Sequence, residues 1–186
     1  MDIDELISIV TLKKLEDNKF EGQNYKTVWG RIFGGQVLSQ SLHAAYQTVP
    51  ENRIAHSMHA YFILPGDLNE PVIYEVDNIR NGGSFTTRRV VAFQKGRAIF
   101  NMAASFQKDE EGFDHQIQMP NVLSPDLLLT DFEQAEKFIE ELAERYQIFL
   151  AAHPKVFDFK PVGTNIFLRK ENALPINHCW FRLKDK

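Results

Sequence analysis

Hydrophobic and polar residues alternate through the middle of the chain, and this period of two is typical of β-strands with one buried face. Three long segments show the alternation: RIAHSMHAYFILP (53–65), PVIYEVDNIRNGG (71–83) and SFTTRRVVAFQKGRAIFNMAASFQK (84–108). The third is long enough for two strands, which the Lys95-Gly96 pair can join in a tight turn. The pattern therefore predicts four antiparallel strands in succession.

Apolar residues recur at helical spacing in three other places. The segment DELISIVTLKKLED (4–17) predicts a first amphipathic helix. A second helix is predicted from Phe33 to about Val49, because Pro50 forces the residue before it out of helical geometry. A third is predicted over about 131–150, with Asp131 as its cap.

The regular pattern breaks near residue 112, where acidic residues, a glycine and two prolines follow one another. We expect residues 1–112 to form one domain. Residues 113–174 are expected to form a linker that carries the third helix, and residues 175–186 to begin a further strand.

The second helix is small or apolar around most of its circumference. The residues that give it this character are Val37, Leu38, Ser39, Ser41, Leu42, Ala44 and Ala45. A helix of this composition is buried on several sides. One buried helix followed by four long antiparallel strands suits an α+β hotdog fold, in which the sheet curls around a single central helix. An open sheet with helices packed on one face is the alternative that periodicity leaves open.

Composition narrows the function classes. The chain has 186 residues, of which 44% are hydrophobic, and its 21 basic and 25 acidic residues give a formal net charge of −4. This charge provides no basic field for nucleic acid, and no apolar run reaches the roughly 20 residues of a membrane span. The acidic N-terminus and the single Cys179 indicate a soluble protein of the cytoplasm or another reducing compartment. A peroxisomal location stays open, because a C-terminal targeting signal would lie past Lys186.

The start of the second helix has the composition of a ligand site. Gly34 and Gly35 stand where the first helical N–H groups lack internal partners and the helix dipole is positive. Bare glycines let a ligand oxygen approach these groups, so the pair and Gln36 are candidates for an oxyanion hole. The alternative is that the glycines only permit close packing beneath the sheet. The tripeptide Gly34-Gly35-Gln36 also occurs in peptide-release factors, but it is a weak signal in an acidic, apolar domain.

Several long segments in a fixed order carry a specific resemblance. FGGQVLSQSLHAA, HSMHAYFILPGD, the strand segment from PVIYEV to FNMAASFQ, and EGFDHQ resemble the N-terminal half of the acyl-CoA thioesterase II family, the double-hotdog acyl-CoA hydrolases. The resemblance spans roughly residues 12–120 and implies hydrolysis of acyl-CoA to free fatty acid and CoA, without a cofactor. The tail PINHCWFRLKDK is similar to the segment that enters the second hotdog of that family. The family's catalytic Asp, Thr and Gln would then lie past Lys186.

The resemblance leaves His56 as the one side chain of this half with a candidate catalytic role. Strict alternation predicts that His56 shares an apolar strand face with Ile54, Met58 and Phe62, whereas His59 lies on the opposite face. A histidine on an apolar face is more often a core residue with one hydrogen bond than a catalyst. Ligands to one metal ion must converge, so the opposite faces argue against a metal site, and none is expected.

An acyl chain needs an apolar pocket, and five residues are candidates to line it: Phe33, Met58, Phe62, Phe85 and Phe106. Core packing is the simpler explanation for each of them. The candidates for binding the CoA phosphates lie near the predicted hairpin and are Arg88, Arg89, Lys95 and Arg97. Charged residues on a solvated strand face would give the same pattern without any ligand.

Two function classes stay open. The first is an acyl-CoA thioesterase to which this chain contributes the N-terminal hotdog. The second helix has no Asp or Glu that could activate water, as single-hotdog thioesterases have, and it lacks the Asp and His pair of hotdog hydratases. The second class is a non-catalytic module for acyl-CoA binding or dimerisation. In either class an isolated hotdog leaves a sheet edge open, so we expect a homo-oligomer formed by hotdog pairing.

Overall fold

The computed structural model describes residues 1–27, 30–137, 147, 156–163 and 174–184. The chain divides into two compact units, one of Ile7–Phe113 and one of Met1–Leu6 with Asp114–Lys186. The break after Phe113 lies next to the boundary expected near residue 112. The assignment of separate domains to these stretches stays a prediction.

A six-stranded antiparallel sheet dominates the unit Ile7–Phe113. Its strands are β1 (Lys13–Glu16), β2 (Lys19–Gly22), β3 (Ile54–Phe62), β4 (Val72–Asn81), β5 (Phe85–Gln94) and β6 (Arg97–Gln107). Their order is β1-β2-β4-β5-β6-β3, so β3 pairs with β6 at one edge. Strands β3 to β6 confirm the four predicted strands. The turn between β5 and β6 falls at Lys95-Gly96, where both residues have positive φ, as the favoured two-residue turn requires.

The prediction of one helix over residues 4–17 is wrong in its second half. Helix α1 spans only Ile3–Val10, and β1 and β2 form a hairpin immediately after it. In β2, Phe20 and Gly22 are buried while Lys19 and Glu21 are only partly so, which is an alternation of period two. The polar residues 17–18 turn the chain between the strands. These turn residues, rather than the apolar spacing, mark the hairpin in the sequence.

The central helix α2 spans Gly34–Tyr46 and packs against β2, β4, β5 and β6. Its buried residues are Gln36, Val37, Gln40, Ser41, Ala44 and Ala45. The core that they meet includes Phe20, Val72, Tyr74, Val90, Phe100, Met102 and Phe106. Small helix residues let the helix approach these large side chains closely. An antiparallel sheet around one central helix confirms the predicted α+β hotdog fold.

A buried arginine ties the C-terminal end of α2 to the sheet. Arg88 in β5 is 1% exposed. It donates to Thr48 Oγ1 at 2.8 Å, Thr48 O at 2.7 Å and Asn81 Oδ1 at 2.7 Å, while two strand carbonyls accept its remaining N–H groups. Burial lowers the pKa of this guanidinium. The prediction of a solvated or phosphate-binding Arg88 is therefore wrong, whereas its neighbour Arg89 is exposed.

In the unit that contains Asp114–Lys186, α3 spans Asp131–Glu136, and β7 (Phe157–Pro161) pairs with β8 (Cys179–Leu183). Thr130, not the predicted Asp131, caps α3. Its hydroxyl accepts from Glu133 N at 3.2 Å, and the Glu133 carboxylate accepts from Thr130 N at 2.7 Å. These hydrogen bonds hold the pKa of Glu133 below its usual value. Except for residue 147, the predicted continuation of this helix to residue 150 lies outside the described residues.

Candidate functional site

Helix α2 begins at the glycine pair, where two N–H groups have no partner among the described residues. The N-cap residue Phe33 offers no side-chain cap, and the first turn contains no acidic residue. The Phe33 carbonyl accepts from Gln36 N at 3.0 Å and Val37 N at 3.4 Å. Within the described part of the chain, nothing accepts a hydrogen bond from Gly34 N or Gly35 N. The positive end of α2 therefore presents two backbone donors to a ligand oxygen.

A cavity of about 620 Å³ opens at this end of the helix. It is lined by Arg31, Ile32, Phe33, Gly34, Val37, Phe62, Ile63, Leu64, Pro65, Gly66, Ile99 and Phe100. The lining is mostly apolar, and it combines a helix start with one charged side chain, that of Arg31. A cavity of this size and lining suits an apolar chain joined to a polar group.

The five acyl-pocket candidates lie in four different places. Phe33 and Phe62 line the cavity and are 57% and 61% exposed. Met58 shares the face of β3 that carries Phe62 but does not line the cavity. Phe106 is fully buried in the core, and Phe85 lies on the sheet face turned away from α2. Core packing accounts for Phe106, and the position of Phe85 places it outside this pocket.

Most of the cavity lining that was not predicted lies in two stretches, 31–32 and the segment 63–66, and the other such residues are Val37, Ile99 and Phe100. Ile32 N donates to Gly66 O at 3.1 Å, which joins the two. A Cβ on Gly66 would lie 2.7 Å from Ile32 Cδ1, so any side chain at this position would have to displace the side chain of Ile32. The available signal was the Pro65-Gly66 pair, which marks a turn at the end of the first predicted strand segment, 53–65.

Aromatic rings lie close to both members of the glycine pair. A Cβ on Gly34 would lie 3.0 Å from the Phe62 ring, and one on Gly35 would lie 2.5 Å from the Phe33 ring. Close packing therefore gives one reason for the missing side chains, as the alternative interpretation of the sequence held. The two free N–H groups give a second reason, and the two reasons are compatible.

The Gln36 side chain is held by the loop before α2. Its Oε1 accepts from Tyr25 N at 2.9 Å, and its Nε2 donates to Asn24 Oδ1 at 3.0 Å and Gln23 O at 3.2 Å. Only 7% of Gln36 is exposed. The structure thus corrects the expectation that this amide binds substrate beside the glycines: its hydrogen bonds go to the protein.

The predicted face of His56 is wrong. The register between β3 and β6 shifts between Ala55 and Ser57, so His56 occupies a β-bulge. Its Nε2 lies 2.8 Å from Ser105 Oγ, and its ring centre lies 5.7 Å from that of Phe85. Both neighbours belong to the sheet face turned away from α2. His56 is exposed on that outer face, and a catalytic role for it stays a prediction.

The bulge also removes the argument that His56 and His59 lie on opposite faces, because His59 pairs with Ala103 on the outer face too. Among the described residues, no group of three His, Cys, Asp or Glu side chains could hold a metal ion. The same residues include no helix long and apolar enough to cross a membrane.

Other candidates for phosphate binding are engaged in ion pairs. Lys95 Nζ lies 3.1 Å from Glu70 Oε1, and this hydrogen bond is the main reason that the pKa of Lys95 is raised. An Arg89 nitrogen lies 3.5 Å from Asp77 Oδ2. Arg31, by contrast, lies in the wall of the cavity itself.

Comparison with known proteins shows what this chain is similar to. Residues 24–107 match the model of the acyl-CoA thioesterase N-terminal domain. The chain is 41% identical over 142 residues to acyl-CoA thioesterase 2 of Haemophilus influenzae. This alignment covers 76% of the chain and 48% of that protein. It is 34% identical over 183 residues to human acyl-coenzyme A thioesterase 8, and this alignment covers 95% of the chain and 57% of that protein.

A solved structure agrees with these relatives. The acyl-CoA thioesterase II TesB2 from Mycobacterium marinum superimposes with a TM-score of 0.72 at 34% identity, over 96% of this chain and 60% of that one. The chain spans about half the length of the curated relatives it matches. In sequence and in structure, the chain is similar to members of the acyl-CoA thioesterase II family.

Proposed function

We propose that the protein hydrolyses acyl-CoA thioesters and that this chain supplies the N-terminal hotdog of the enzyme. In that reaction a water oxygen attacks the thioester carbonyl carbon, the carbonyl oxygen becomes an oxyanion, and the C–S bond breaks. The products are a fatty acid and the CoA thiol, which takes a proton from the water. The observation that carries the proposal is the pair of free N–H groups at Gly34 and Gly35, beside an apolar cavity, in a chain whose relatives are named acyl-CoA thioesterases.

In the proposed complex, different residues of the cavity contact the carbonyl oxygen, the alkyl chain and the CoA phosphates. Gly34 N and Gly35 N would donate to the oxyanion, and in other enzymes removal of one such donor costs roughly 3 kcal/mol. The alkyl chain would lie along Phe33, Phe62 and the segment 63–66. Arg31 would pair with a phosphate of CoA at the edge of the cavity.

Water activation requires a group that the described lining does not supply. Among the described residues that line the cavity there is no Asp, Glu or His. The family resemblance assigns this task to an Asp, Thr and Gln set in the second hotdog, and we propose that a second hotdog provides it here. The same observation favours the alternative function, a module that binds acyl-CoA or dimerises without turnover.

The open edge of β3 supports pairing with a second hotdog. Among the described strands, β3 bonds only to β6, so the backbone groups of its other side are free to pair, except Ala55 N, which donates to Tyr46 Oη at 2.9 Å. Its apolar residues are also exposed: Ile54 by 57%, Met58 by 46%, Tyr61 by 61% and Phe62 by 61%. We propose that this chain forms a homodimer through β3, and we expect light scattering at tens of micromolar to give the mass of a dimer. A monomer at that concentration would contradict the proposal.

The proposed compartment is the cytoplasm. The support for it is Cys179, the single cysteine of the chain, which is a free and exposed thiol. The peroxisome remains the alternative, and fractionation of cells that express the native protein distinguishes the two.

Thiol release from a medium-chain and a long-chain acyl-CoA tests the function. The same proteins should also be tested for binding a 2-oxoalkyl-CoA, a ketone that presents a carbonyl but cannot be hydrolysed. The variant Gly35→Val places a branched side chain beside the free N–H groups. The matched control is Gly112→Val, because a Cβ at Gly112 would contact nothing within 4 Å.

Hydrolysis that Gly35→Val loses and Gly112→Val retains would support the thioesterase proposal. Ketone binding with the same pattern but no hydrolysis would mean that this chain binds acyl-CoA without supplying the group that activates water. Hydrolysis by the native protein would then support the thioesterase, and its absence there would support the binding module. If the unmodified chain neither hydrolyses acyl-CoA nor binds the ketone, both functions are wrong for this chain.

A further inference from the structure

We infer that Asn24 is a positioning residue that holds the cavity wall 63–66 at a fixed distance from the glycine pair and so sets how long an alkyl chain the pocket accepts. The inference rests on the proposed function, because it concerns the same cavity. Asn24 does not line that cavity itself. It is half-buried in the loop between β2 and α2.

The amide nitrogen of Asn24 holds the loop that follows the cavity wall. Nδ2 lies 2.6 Å from Glu70 O, 3.3 Å from Asp67 O and 3.3 Å from Leu68 O, and donates to all of them. These carbonyls come directly after segment 63–66. One side chain therefore fixes the downstream end of the wall.

The loop is also held from the sheet. Gln94, at the end of β5, is 6% exposed. Its Oε1 accepts from Asp67 N at 2.8 Å, and its Nε2 donates to Asp67 O at 2.9 Å and Glu70 O at 2.6 Å. At the upstream end of the wall, Ile63 N and Leu64 N donate to a β6 carbonyl at 2.9 and 3.1 Å. The wall is thus fixed to the sheet at both ends, and Asn24 adds a separate attachment.

That separate attachment leads to the helix start. Asn24 Oδ1 accepts from Gln36 Nε2 at 3.0 Å, and Gln36 is the residue after the glycine pair. A continuous path of covalent and hydrogen bonds therefore runs from Gly35 through Gln36 and Asn24 to the loop 67–70. A misplacement of about 1 Å between a substrate and the groups that bind it can lower the reaction rate about a hundredfold. This path sets the distance between the glycine pair and the cavity wall, so it affects how the substrate is placed.

The chemistry of the path requires an amide. Its oxygen accepts from the helix side while its nitrogen donates to the loop carbonyls, and a carboxylate of the same shape could only accept. In Asn24→Asp the carboxylate oxygen would face three carbonyl oxygens and repel the loop. The pocket end lined by segment 63–66 should then lose its fixed position, while the free N–H groups of the glycine pair remain.

The test compares binding of two 2-oxoalkyl-CoA ketones, one with a short and one with a long alkyl chain, to the full 186-residue chain. We expect Asn24→Asp to weaken binding of the long-chain ketone by about tenfold and that of the short-chain ketone by less than about twofold. Gln94→Glu makes the same change on the sheet side of the loop and should act in the same direction. Asn78→Asp is the charge-matched control, since Asn78 is exposed and its side-chain nitrogen donates, within the described part of the chain, to Asn18 Oδ1 alone, at 3.3 Å.

Equal weakening for both chain lengths, or none in a folded Asn24→Asp protein, would overturn the inference. If Asn24→Asp does not fold, Asn24→Ala removes the donor without adding charge and carries the same expectation. If the unmodified chain binds neither ketone, the proposed function fails. Hydrogen exchange then still tests the attachment: amides of residues 63–70 should exchange faster in Asn24→Asp than in Asn78→Asp, and equal exchange would refute it.

Discussion

The two ends of α2 differ in how their backbone groups are satisfied. At the C-terminal end, Gln47 N donates to helix carbonyls, and Arg88 binds both the hydroxyl and the carbonyl of Thr48. At the N-terminal end, Gly34 N and Gly35 N have no acceptor in the described chain, and a cavity opens beside them. The fold therefore closes one end of its central helix and leaves the other ready for a ligand. This difference is the strongest sign of where the function lies, because unsatisfied donors cost stability unless water or a ligand binds them.

The largest expected effect comes from removing Arg88, which binds Thr48 at the C-terminal end of α2. Arg88→Ala should reduce the free energy of unfolding by about 3 kcal/mol, because it leaves a void and several buried acceptors without a donor. Urea denaturation measures the change. Arg89→Ala is the control, since its exposed ion pair with Asp77 should contribute no more than about 0.5 kcal/mol. Similar losses in the two variants would mean that the closed end does not depend on the buried arginine.

The middle of α2 should show a smaller effect that depends on pH. The Tyr74 hydroxyl donates to Gln40 Oε1 at 2.6 Å, and burial raises the pKa of Tyr74 well above its usual value. Tyr74→Phe should therefore cost about 1 kcal/mol near neutral pH. Tyr61→Phe, at a residue that is 61% exposed, should cost almost nothing.

Alkaline pH should reduce the difference in free energy of unfolding between the unmodified protein and Tyr74→Phe. The unfolded chain releases the tyrosine proton above about pH 10, whereas folded Tyr74 retains it, so the stabilisation is complete below that pH and falls as pH rises. The expected decline is about 1.4 kcal/mol per pH unit relative to Tyr74→Phe. Parallel stability curves for the two proteins between pH 9 and pH 11 would contradict a protonated, buried Tyr74.

At the open end, packing and helix propensity should oppose each other. Gly35→Ala favours the helix by up to about 1 kcal/mol, but its Cβ would meet the Phe33 ring at 2.5 Å. We expect little net change from Gly35→Ala alone, and stabilisation by about 1 kcal/mol when the same substitution is made in a Phe33→Ala background. Thermal or urea unfolding should be measured for the unmodified protein, Gly35→Ala, Phe33→Ala and the double variant, which together form a double-mutant cycle. Identical effects in both backgrounds would show that the ring does not restrict this position.

The smallest effect is expected away from both ends. His56→Ala should change stability by less than about 0.5 kcal/mol and leave binding of the ketone unchanged, because His56 lies on the outer sheet face. The control is His59→Ala on the same face. A selective loss of binding or turnover in His56→Ala would restore the catalytic hypothesis for this residue.

Periodicity predicted the elements whose residues keep a regular spacing. The strands β4 to β6 and the small-residue helix α2 follow from their apolar patterns, and the fold class follows from their combination. Periodicity failed where one residue breaks the rule. The bulge at His56 reverses the face of Ile54 relative to strict alternation, and the 17–18 turn converts the end of a predicted helix into a hairpin.

The candidate site was predicted in part, for a physical reason. A glycine pair before an apolar helix is visible in the sequence, so Gly34 and Gly35 were found. Contacts between distant segments are not local, so the partners of Gln36 and Arg88 and the contribution of segment 63–66 to the cavity could not be found. Arg88 shows the limit clearly, because an arginine in an alternating strand has the same pattern whether it is solvated or buried.

The strand order has a consequence for how the chain is made. β3 is synthesised before β4, β5 and β6, yet its sheet partner is β6, which leaves the ribosome last of these strands. The neighbouring pairs β4–β5 and β5–β6 are joined by short turns and can form at once, whereas β3 must close a long loop. Pulse-labelled hydrogen exchange during refolding should therefore find β3 amides protected after those of β4 to β6. Until then the apolar residues of β3 are accessible to chaperones and prone to aggregation.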